Sequence, residues 1–474
     1  MFFQTGHGVL STLWPMKDAG AAPPAAGGFA YLFPTAAGVP QSPGALGAVK
    51  RLAAQMADSA SGRASPPLPF VSGLLGHLCQ FADHDLRCPV IAASPETRDQ
   101  IRQGMPLGRG AATTALRNQC SGRLDLSGLY GDGAPLSKIE EHLTLALRDP
   151  TAPAKWRLPR RENGRADVVR VRDLAGAALS QANLRNLTDP AHRAFFFGPE
   201  GQTDNALCLD RPILPDGRNG TSSELIQIHL AWARLHNAIV DSAPDAQAKA
   251  PVDDLFGWAR DQTRLIYQWV MIFDVLARVC DRAALDHALT QRAPLYAAMS
   301  AARPSGTATP PLPLDSALGA LPFYLALPPS RPDLDDRVTD NLVASYIFNL
   351  PTAQSCIARV EAKTGFVIPP LPEAGLLSGP TGPLIADTDL VSNTPLWFYI
   401  VKEAEVLAGG RHLGPLGSIL LADTLVGVLV HDDGSVLNRT SRRGADWTPR
   451  DGVMPAGTPV MTYDDVLTAG GTGS

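Results

Sequence analysis

The chain has 474 residues, of which 45% are hydrophobic and 18% are charged, and its formal net charge is -5. This composition is that of an ordinary globular protein with a large buried core, built as one large domain or as two to three modules. The absence of a basic excess excludes nucleic acid as an expected partner. No apolar run reaches the roughly eighteen residues that a transmembrane helix needs.

Apolar residues spaced three and four apart dominate the chain and predict a mainly helical fold with few short strands. Ser222 predicts a helix start, and Gly409 with Gly410 predicts a helix end. Strand signals are few and short, such as Asp167–Val171 and Phe366–Ile368. The predicted helices are Leu46–Ala57, Leu74–Asp85, Leu136–Leu147, Ser222–Ser242, Val252–Cys280, Arg337–Phe348, Pro395–Ala408 and Gly417–Leu429.

The expected organisation is a loop-rich N-terminal segment over residues 1–66, one large helical domain over 67–460 and a flexible tail over 461–474. The first residues, MFFQTGHGVLSTLWPMK, lack the basic region and long apolar stretch of a secretory signal. The six cysteines are widely scattered and form no CxxC pair, which is typical of a reduced compartment. A cytoplasmic location is therefore predicted.

The most informative stretch of the sequence is Gln80-Phe-Ala-Asp-His-Asp85, which lies within a predicted helix. Gln80, Asp83 and His84 are offset by three and four residues and therefore share one helix face, while Asp85 points elsewhere. A histidine beside an amide in a partly buried pocket is suited to proton transfer. The alternative is a surface helix that carries polar residues without a shared function.

The same six residues resemble the distal-histidine motif of the animal-type heme peroxidase superfamily, in its bacterial branch. Three further segments resemble the family in the same order along the chain. The resemblance implies a helical fold around heme b, and an oxidoreductase that uses hydrogen peroxide or oxygen to oxidise an organic or halide substrate. The segments are NQCSGRLDLSGLYGDG (118–133), DGRNGTSSELIQIHLAWARLHN (216–237) and NTPLWFYIVKEAEVLAGGRHLGPLG (393–417).

By this resemblance, His84 is the distal base, Gln80 its neighbouring amide and Arg218 the distal arginine that stabilises developing charge. Asp83 lies at the position of the first residue that the family uses for an ester bond to heme. The second such position falls at Thr221, so a doubly linked heme is excluded. His229 and His236 are interpreted as histidines of helix packing.

The segment 118–133 resembles the calcium loop of the family. A hard cation such as calcium prefers several oxygen ligands. The resemblance assigns these ligands to Asp85, Ser121, the carbonyl of Arg123, Asp125 and Ser127. Without it, Asp125 and Ser127 are ordinary residues of turns and helix caps.

The sequence departs from the family on the proximal side of the heme, where the iron ligand would lie. Peroxidases hold iron through a histidine, and the family carries it in a Phe-Arg-x-Gly-His helix that has no counterpart here. Asn341 aligns with the asparagine that orients that histidine, but Ala344 replaces the arginine that pairs with a heme propionate. His287 is the single histidine between residues 281 and 340, and therefore the remaining candidate for an iron ligand.

Three hypotheses follow. The first is a working heme peroxidase or oxygenase. The second is a pseudo-peroxidase that keeps the helical scaffold and the calcium loop for binding or assembly. The third is a pocket in which His84 and Asp83 act as acid and base on an organic substrate without heme.

Overall fold

The computed structural model describes residues 28–60, 73–131, 138–174, 190–197, 207–302, 311–326, 334–441 and 444–469. Residues 1–27 and 61–66 of the predicted N-terminal segment, and 470–474 of the predicted tail, lie outside this described part. The described residues form two compact units. Unit 1 comprises residues 125–270 and 439–469, and unit 2 comprises residues 28–124 and 271–438.

The α-helices are numbered here in chain order. The first ten are α1 Pro43–Ala60, α2 Gly73–Leu86, α3 Pro95–Arg102, α4 Arg109–Ala115, α5 Ser127–Tyr130, α6 Lys138–Ala146, α7 Val171–Leu174, α8 Pro190–Phe197, α9 Ser223–Asp241 and α10 Asp245–Ala248. The others are α11 Val252–Val270, α12 Leu276–Val279, α13 Arg282–Thr290, α14 Pro294–Ala301, α15 Leu334–Ile347, α16 Ala353–Thr364, α17 Glu373–Leu376, α18 Gly382–Ile385, α19 Leu396–Ala408, α20 Pro415–Val430 and α21 Tyr463–Ala469.

Shorter helical turns connect these elements. Two are π-helical, at Met271–Val275 and Ser316–Ala320, and the 3-10 turns are Gly217–Gly220, Leu321–Ala326, Val436–Asn438, Pro449–Asp451 and Pro455–Gly457. The strands are β1 Phe29–Ala30, β2 Pro89–Ile91, β3 Leu116–Asn118 and β4 Leu312–Pro313. β1 pairs with β4 in parallel, and β2 pairs with β3 in antiparallel register. No helix in the described ranges is both long and apolar enough to cross a membrane.

The mainly helical fold predicted from the sequence is confirmed, and a helix occupies every predicted helical range. The hydroxyl of Ser222 accepts a hydrogen bond from the Leu225 amide and so caps the start of α9. Gly409 ends α19 with φ 58°. The helix start and the helix end predicted at these residues are both confirmed. The long predicted run Val252–Cys280 is interrupted by the π-turn at Met271–Val275. Where a tail was predicted from residue 461, the chain forms α21.

The two strand predictions are wrong. Asp167–Val171 has the composition of a strand, but Arg170 makes an isolated bridge and Asp167 is held instead by ion pairs with Arg161 and Arg170. Phe366–Ile368 is irregular backbone, and the Ile368 amide donates to the Glu361 carboxylate at 2.9 Å. In the first segment the backbone of Val169 and Val171 does pair with residues 211–213, but the pairing stays a single bridge because α7 begins at Val171.

Helix α20 forms the centre of unit 2. Its sequence is apolar around the whole circumference, and residues 416 to 429 are all buried. It packs against α13, α14, α19 and the π-turn Ser316–Ala320. The close approach of α14 depends on Gly427, because a Cβ at that position would lie 2.3 Å from Cγ of Tyr296.

Two buried carboxylates fix the position of α20. Glu403 of α19 accepts hydrogen bonds from the backbone amides of Leu416 and Gly417, and so satisfies the first turn of α20. Asp423 of α20 accepts hydrogen bonds from the amides of Leu295 and Tyr296 at the start of α14. Burial raises the pKa of each carboxyl group to about 7.

Unit 1 is organised around α9. This helix packs against α11, α21 and the turns Gly217–Gly220 and Pro455–Gly457. Trp232 of α9 is fully buried, with its ring centroid 5.2 Å from that of Tyr267 and 6.1 Å from that of Tyr463. The C-terminal residues of the chain therefore complete the core of this unit.

We predict that Gly427→Ala destabilises the protein, whereas Gly47→Ala does not. The new Cβ at residue 427 overlaps the Tyr296 ring, and such overpacking costs about 1–3 kcal/mol. In α1, a Cβ at residue 47 lies 3.4 Å from the end of the Arg51 side chain, and replacing a helical glycine adds about 0.5–1 kcal/mol of stability. Urea unfolding of both variants measures the difference, and equal midpoints would contradict the packing of α14 on α20.

Candidate functional site

Helix α2 presents the distal motif inside unit 2. Gln80, Asp83, His84 and Asp85 are each at most 5% exposed. They share the helix with the buried Phe81 and Ala82, so burial extends around the circumference at this end of α2. The alternative of a solvent-exposed polar helix is therefore wrong, and these polar groups need partners inside the protein.

Asp83 is held by two partners. Nε of Arg87 donates to Oδ1 and Nη2 of Arg87 donates to Oδ2 at 2.9 Å, in a bidentate pair across one helical turn. The hydroxyl of Tyr324 also donates to Oδ2, at 2.5 Å. Burial, and then the charge of Asp83, raises the pKa of Tyr324, which keeps the phenol protonated as a donor. Both oxygens of Asp83 are thus committed to structural hydrogen bonds.

Gln80 and His84 lie one helical turn apart on α2. The amide nitrogen Nε2 of Gln80 is buried and has no hydrogen-bond acceptor within the described residues. The backbone carbonyl of His84 accepts a hydrogen bond from Sγ of Cys120 at 3.2 Å, which ties this turn to the residues that follow β3. A buried amide donor without an acceptor is the one group of the distal set that calls for a further partner.

The predicted calcium ligands fall on both sides of a unit boundary. Asp85, Ser121 and Arg123 belong to unit 2, whereas Asp125 and Ser127 belong to unit 1. The described residues contain no cluster of three or more His, Cys, Asp or Glu side chains suited to a metal. The predicted calcium ligands are not a cluster of that kind, because they comprise two carboxylates, two hydroxyls and one backbone carbonyl.

Side chains shape the loop itself. Ser121 accepts a hydrogen bond from the Arg123 amide at 3.2 Å, and Asp125 accepts one from the Ser127 amide at 3.1 Å. Gly122 and Leu126 have positive φ angles, so the chain reverses twice within a few residues. Arg264 donates to the Asp125 carbonyl at 2.5 Å. The loop is therefore held by its own turns and by a cation from α11.

Arg218 lies in unit 1, in the 3-10 turn Gly217–Gly220, and is buried. Its Nε donates to Oδ1 of Asp216 at 3.0 Å, and its Nη2 donates to Oδ2 at 2.6 Å. Asp216 also caps the turn by accepting from the backbone amide of Arg218. Thr221, at the end of the turn, donates to the Arg218 carbonyl at 2.8 Å. Asp216 thus fixes both the backbone and the guanidinium of Arg218.

His229 and His236 lie on the buried side of α9. Burial lowers the pKa of each to about 4, so both rings are neutral at neutral pH. Nε2 of His236 lies 3.0 Å from the Ala154 carbonyl, which can only accept, and Nδ1 lies 2.9 Å from the Tyr130 hydroxyl. His236 therefore carries its proton on Nε2 and accepts from Tyr130. These are the contacts of a packing histidine, whereas Nδ1 of His229 is buried without a hydrogen-bond partner among the described residues.

The proximal candidates have separate surroundings. Nδ2 of Asn341, on α15, donates to the backbone carbonyl of Leu318 at 3.1 Å. His287, on α13, lies with its ring centroid 5.1 Å from that of Phe366, and burial lowers its pKa. α13 packs against α20 and α12, whereas α15 packs against α1, α19 and the turns between residues 316 and 326.

These residues do not fit a heme held by a histidine beside Asn341. The amide of Asn341 is bonded to a peptide carbonyl, and the segment that provides the carbonyl, SALGALPFYLA (316–326), contains no histidine. Ala344, one turn after Asn341, is fully buried and has no charge for a propionate. Asp83 is bonded to Arg87 and Tyr324 instead of being open to a ligand.

Two residues of this site were missed from the sequence. Arg87 follows Asp83 by four residues, and that spacing is itself a signal for an ion pair on a helix. Tyr324 is separated from Asp83 by 241 residues, and no local pattern connects them.

No protein-family model matches this chain, and no curated protein matches it. Among solved structures, peroxidase A from Dictyostelium discoideum aligns with 97% of this chain and 98% of its own length, with a TM-score of 0.49 and 10% sequence identity.

We predict that Tyr324→Phe destabilises unit 2 more than Tyr346→Phe. Tyr324 donates to a buried carboxylate, and such a bond contributes about 1.5–3 kcal/mol. Tyr346 donates to the neutral carbonyl of Ser42 at 3.2 Å, and a bond of this kind contributes about 0.5–1.5 kcal/mol. Guanidinium chloride unfolding compares the two variants. A smaller loss for Tyr324→Phe would show that Asp83 does not depend on this phenol.

Proposed function

We propose that the chain is a peroxidase-like helical protein that works without a histidine-bound heme, as a binding or assembly protein. The observation that supports this most directly is the hydrogen bond from Asn341 to the Leu318 carbonyl. In this hydrogen bond the Asn341 side chain, which would orient an iron ligand, is already bonded to a peptide carbonyl. The segment that provides this carbonyl, residues 316–326, has no histidine. The polar centre of the proposed binding site is the Gln80–His84 turn of α2.

The chemistry of that turn suits a ligand with an oxygen acceptor. The buried Nε2 of Gln80 can donate to such an oxygen, and His84 lies one turn further along the same helix. Asp83 does not contribute a free carboxylate, because Arg87 and Tyr324 occupy it. An acid–base pair of Asp83 and His84 is therefore disfavoured, and His84 would be the sole proton carrier of the pair.

A second candidate is a peroxidase-type oxidoreductase that uses hydrogen peroxide or oxygen on a small organic or halide substrate. The buried amide of Gln80 favours it, because a donor without an acceptor suits a peroxide oxygen. In this candidate His84 takes and returns a proton. Arg218, which the resemblance assigns as the distal arginine, is fixed by Asp216 within unit 1. His287 would have to replace the missing iron ligand, and its contact with Phe366 gives no support for that role.

A heme titration separates the two candidates. Purified protein mixed with hemin is expected to show no saturable Soret band at one equivalent, and His84→Ala and His287→Ala should behave like the natural chain. A stoichiometric band that disappears in His287→Ala would overturn the first proposal and support the second. A stoichiometric band kept in His287→Ala but lost in His84→Ala would also overturn it, with iron held from α2.

We also propose that the loop at 121–127 binds calcium through Asp85, Ser121, the Arg123 carbonyl, Asp125 and Ser127. The two reversals at Gly122 and Leu126 support this proposal, because a chain that turns twice within a few residues can wrap successive oxygens around one ion. Asp125 combines a carboxylate with a backbone already fixed by Arg264.

We predict that a calcium chelator lowers the thermal midpoint of the natural chain but not that of Asp125→Ala. A ligand present at about 100 times its dissociation constant stabilises the folded state by about 2.7 kcal/mol. Asp149→Ala is the matched control, because Asp149 also accepts from a nearby amide, that of Thr151, but lies outside the loop. Differential scanning calorimetry with and without chelator measures the shift. An unchanged response in Asp125→Ala, or no response in the natural chain, would contradict the site.

A further inference from the structure

Unit 1 contains a cavity whose lining shares no residue with the two sites described above. Its volume is about 570 Å³, within the range of roughly 300–1,000 Å³ typical of small-molecule pockets. It lies between the end of α6, the turn at 148–157, α7 and the start of α11. Much of its wall is apolar, from Leu145, Pro150, Pro153, Leu174 and Val252.

Two apolar side chains are exposed at this cavity. Leu145 is 63% exposed and Val252 is 45% exposed, and both belong to the small set of large hydrophobic residues that the described surface exposes. Large apolar side chains that converge on one cavity indicate a surface that a ligand covers.

The carboxylates of the cavity are already paired. Asp173 accepts from both terminal nitrogens of Arg161, at 2.8 and 2.9 Å. Asp253 accepts from Arg148 at 2.7 Å, and the same guanidinium lies 3.9 Å from the ring centroid of Phe256. Asp149 accepts from the amide and hydroxyl of Thr151. None of the three carboxylates therefore needs a cationic ligand.

Arg157 differs from these residues. Within the described part of the chain its guanidinium makes a single hydrogen bond, from Nη2 to the Asp173 carbonyl at 3.2 Å. Its charge helps to lower the pKa of the nearby Asp173, but within these residues the guanidinium donates no hydrogen bond to a carboxylate, although it lines the cavity. The guanidinium fork matches the geometry of a carboxylate.

The backbone around Arg157 is rigidly held. The Arg157 amide donates to the Leu147 carbonyl at 2.8 Å, and Trp156 exchanges two hydrogen bonds with the Asn237 side chain. The Trp156 ring is buried, with its centroid 5.3 Å from that of Phe256. Arg157 is therefore presented from a fixed position, which lowers the entropy cost of binding.

We propose that this cavity binds an amphipathic monocarboxylate, with its carboxylate on Arg157 and its apolar part against Leu145, Leu174 and Val252. Such a ligand supplies the acceptor oxygens that Arg157 lacks and covers the exposed apolar side chains. The proposal concerns unit 1 alone and does not depend on whether heme or calcium binds.

The test compares octanoate with octanol, which share an alkyl chain but differ in charge. Isothermal titration of the full chain is expected to show saturable octanoate binding at one site. In Arg157→Gln, octanoate affinity should fall by about 10-fold to 100-fold, the range expected for loss of a charged hydrogen bond, while octanol affinity is unchanged. Arg165→Gln, an exposed arginine in a neighbouring turn, should leave both affinities unchanged.

A second variant tests the apolar wall without risk to folding. Val252 is exposed at the first residue of α11, where an aspartate is compatible with the helix. Val252→Asp should weaken both octanoate and octanol. Equal affinity for the two ligands in the natural chain, an unchanged octanoate affinity in Arg157→Gln, or no saturable binding of octanoate would each overturn the proposal.

Discussion

The position of helix α20 is the constraint on which unit 2 depends. A helix that is apolar on every side gains burial in many orientations, so burial alone cannot fix its rotation or its register. Glu403 fixes its start, and Asp423 ties its middle to the start of α14. Thr424 then donates to Ser316 at 2.6 Å, and Ser316 donates to the Leu420 carbonyl, which anchors the π-turn that begins at Ser316. The polar groups thus fix the rotation and register of α20, which apolar burial alone does not determine.

The proposal of a protein without a histidine-bound heme depends on the position of the segment that begins with this π-turn. The segment 316–326 presents Leu318 to Asn341 and Tyr324 to Asp83. One apolar segment therefore occupies the amide that would orient an iron ligand and the carboxylate beside the distal histidine. The distal motif remains intact in sequence, but its surroundings are those of a packed protein interior. A sequence motif can thus be intact while the contacts of its side chains are not those that its usual chemistry needs.

Much of the fold could be predicted because helical periodicity is a local signal. The ends of α9 and α19 followed from Ser222 and Gly409, since caps depend on adjacent residues. The failed strand at Asp167–Val171 shows the limit, because its backbone pairs with residues 211–213 at a single bridge before α7 begins at Val171. Strand formation depends on a partner elsewhere in the chain, which composition does not reveal.

The residues of the candidate site also differ in whether a local sequence pattern could have revealed them. Arg87 could have been found from its spacing to Asp83, whereas Tyr324 and the Leu318 carbonyl reach the site only through tertiary packing. The assignments to heme and calcium ligands came from resemblance and remain proposals. The Arg157 cavity was invisible in sequence, because its walls come from the separate helices α6, α7 and α11.

The interleaving of the two units along the chain has a consequence for biosynthesis. Unit 2 is interrupted by residues 125–270, and unit 1 is completed only by residues after 438. When the ribosome has made α9, the partner of Trp232 at Tyr463 has not yet been translated. Domains that are continuous in sequence can fold in order of synthesis, but neither unit of this protein can be completed that way. The nascent chain must therefore leave part of the Trp232 surface exposed until Tyr463 has been translated.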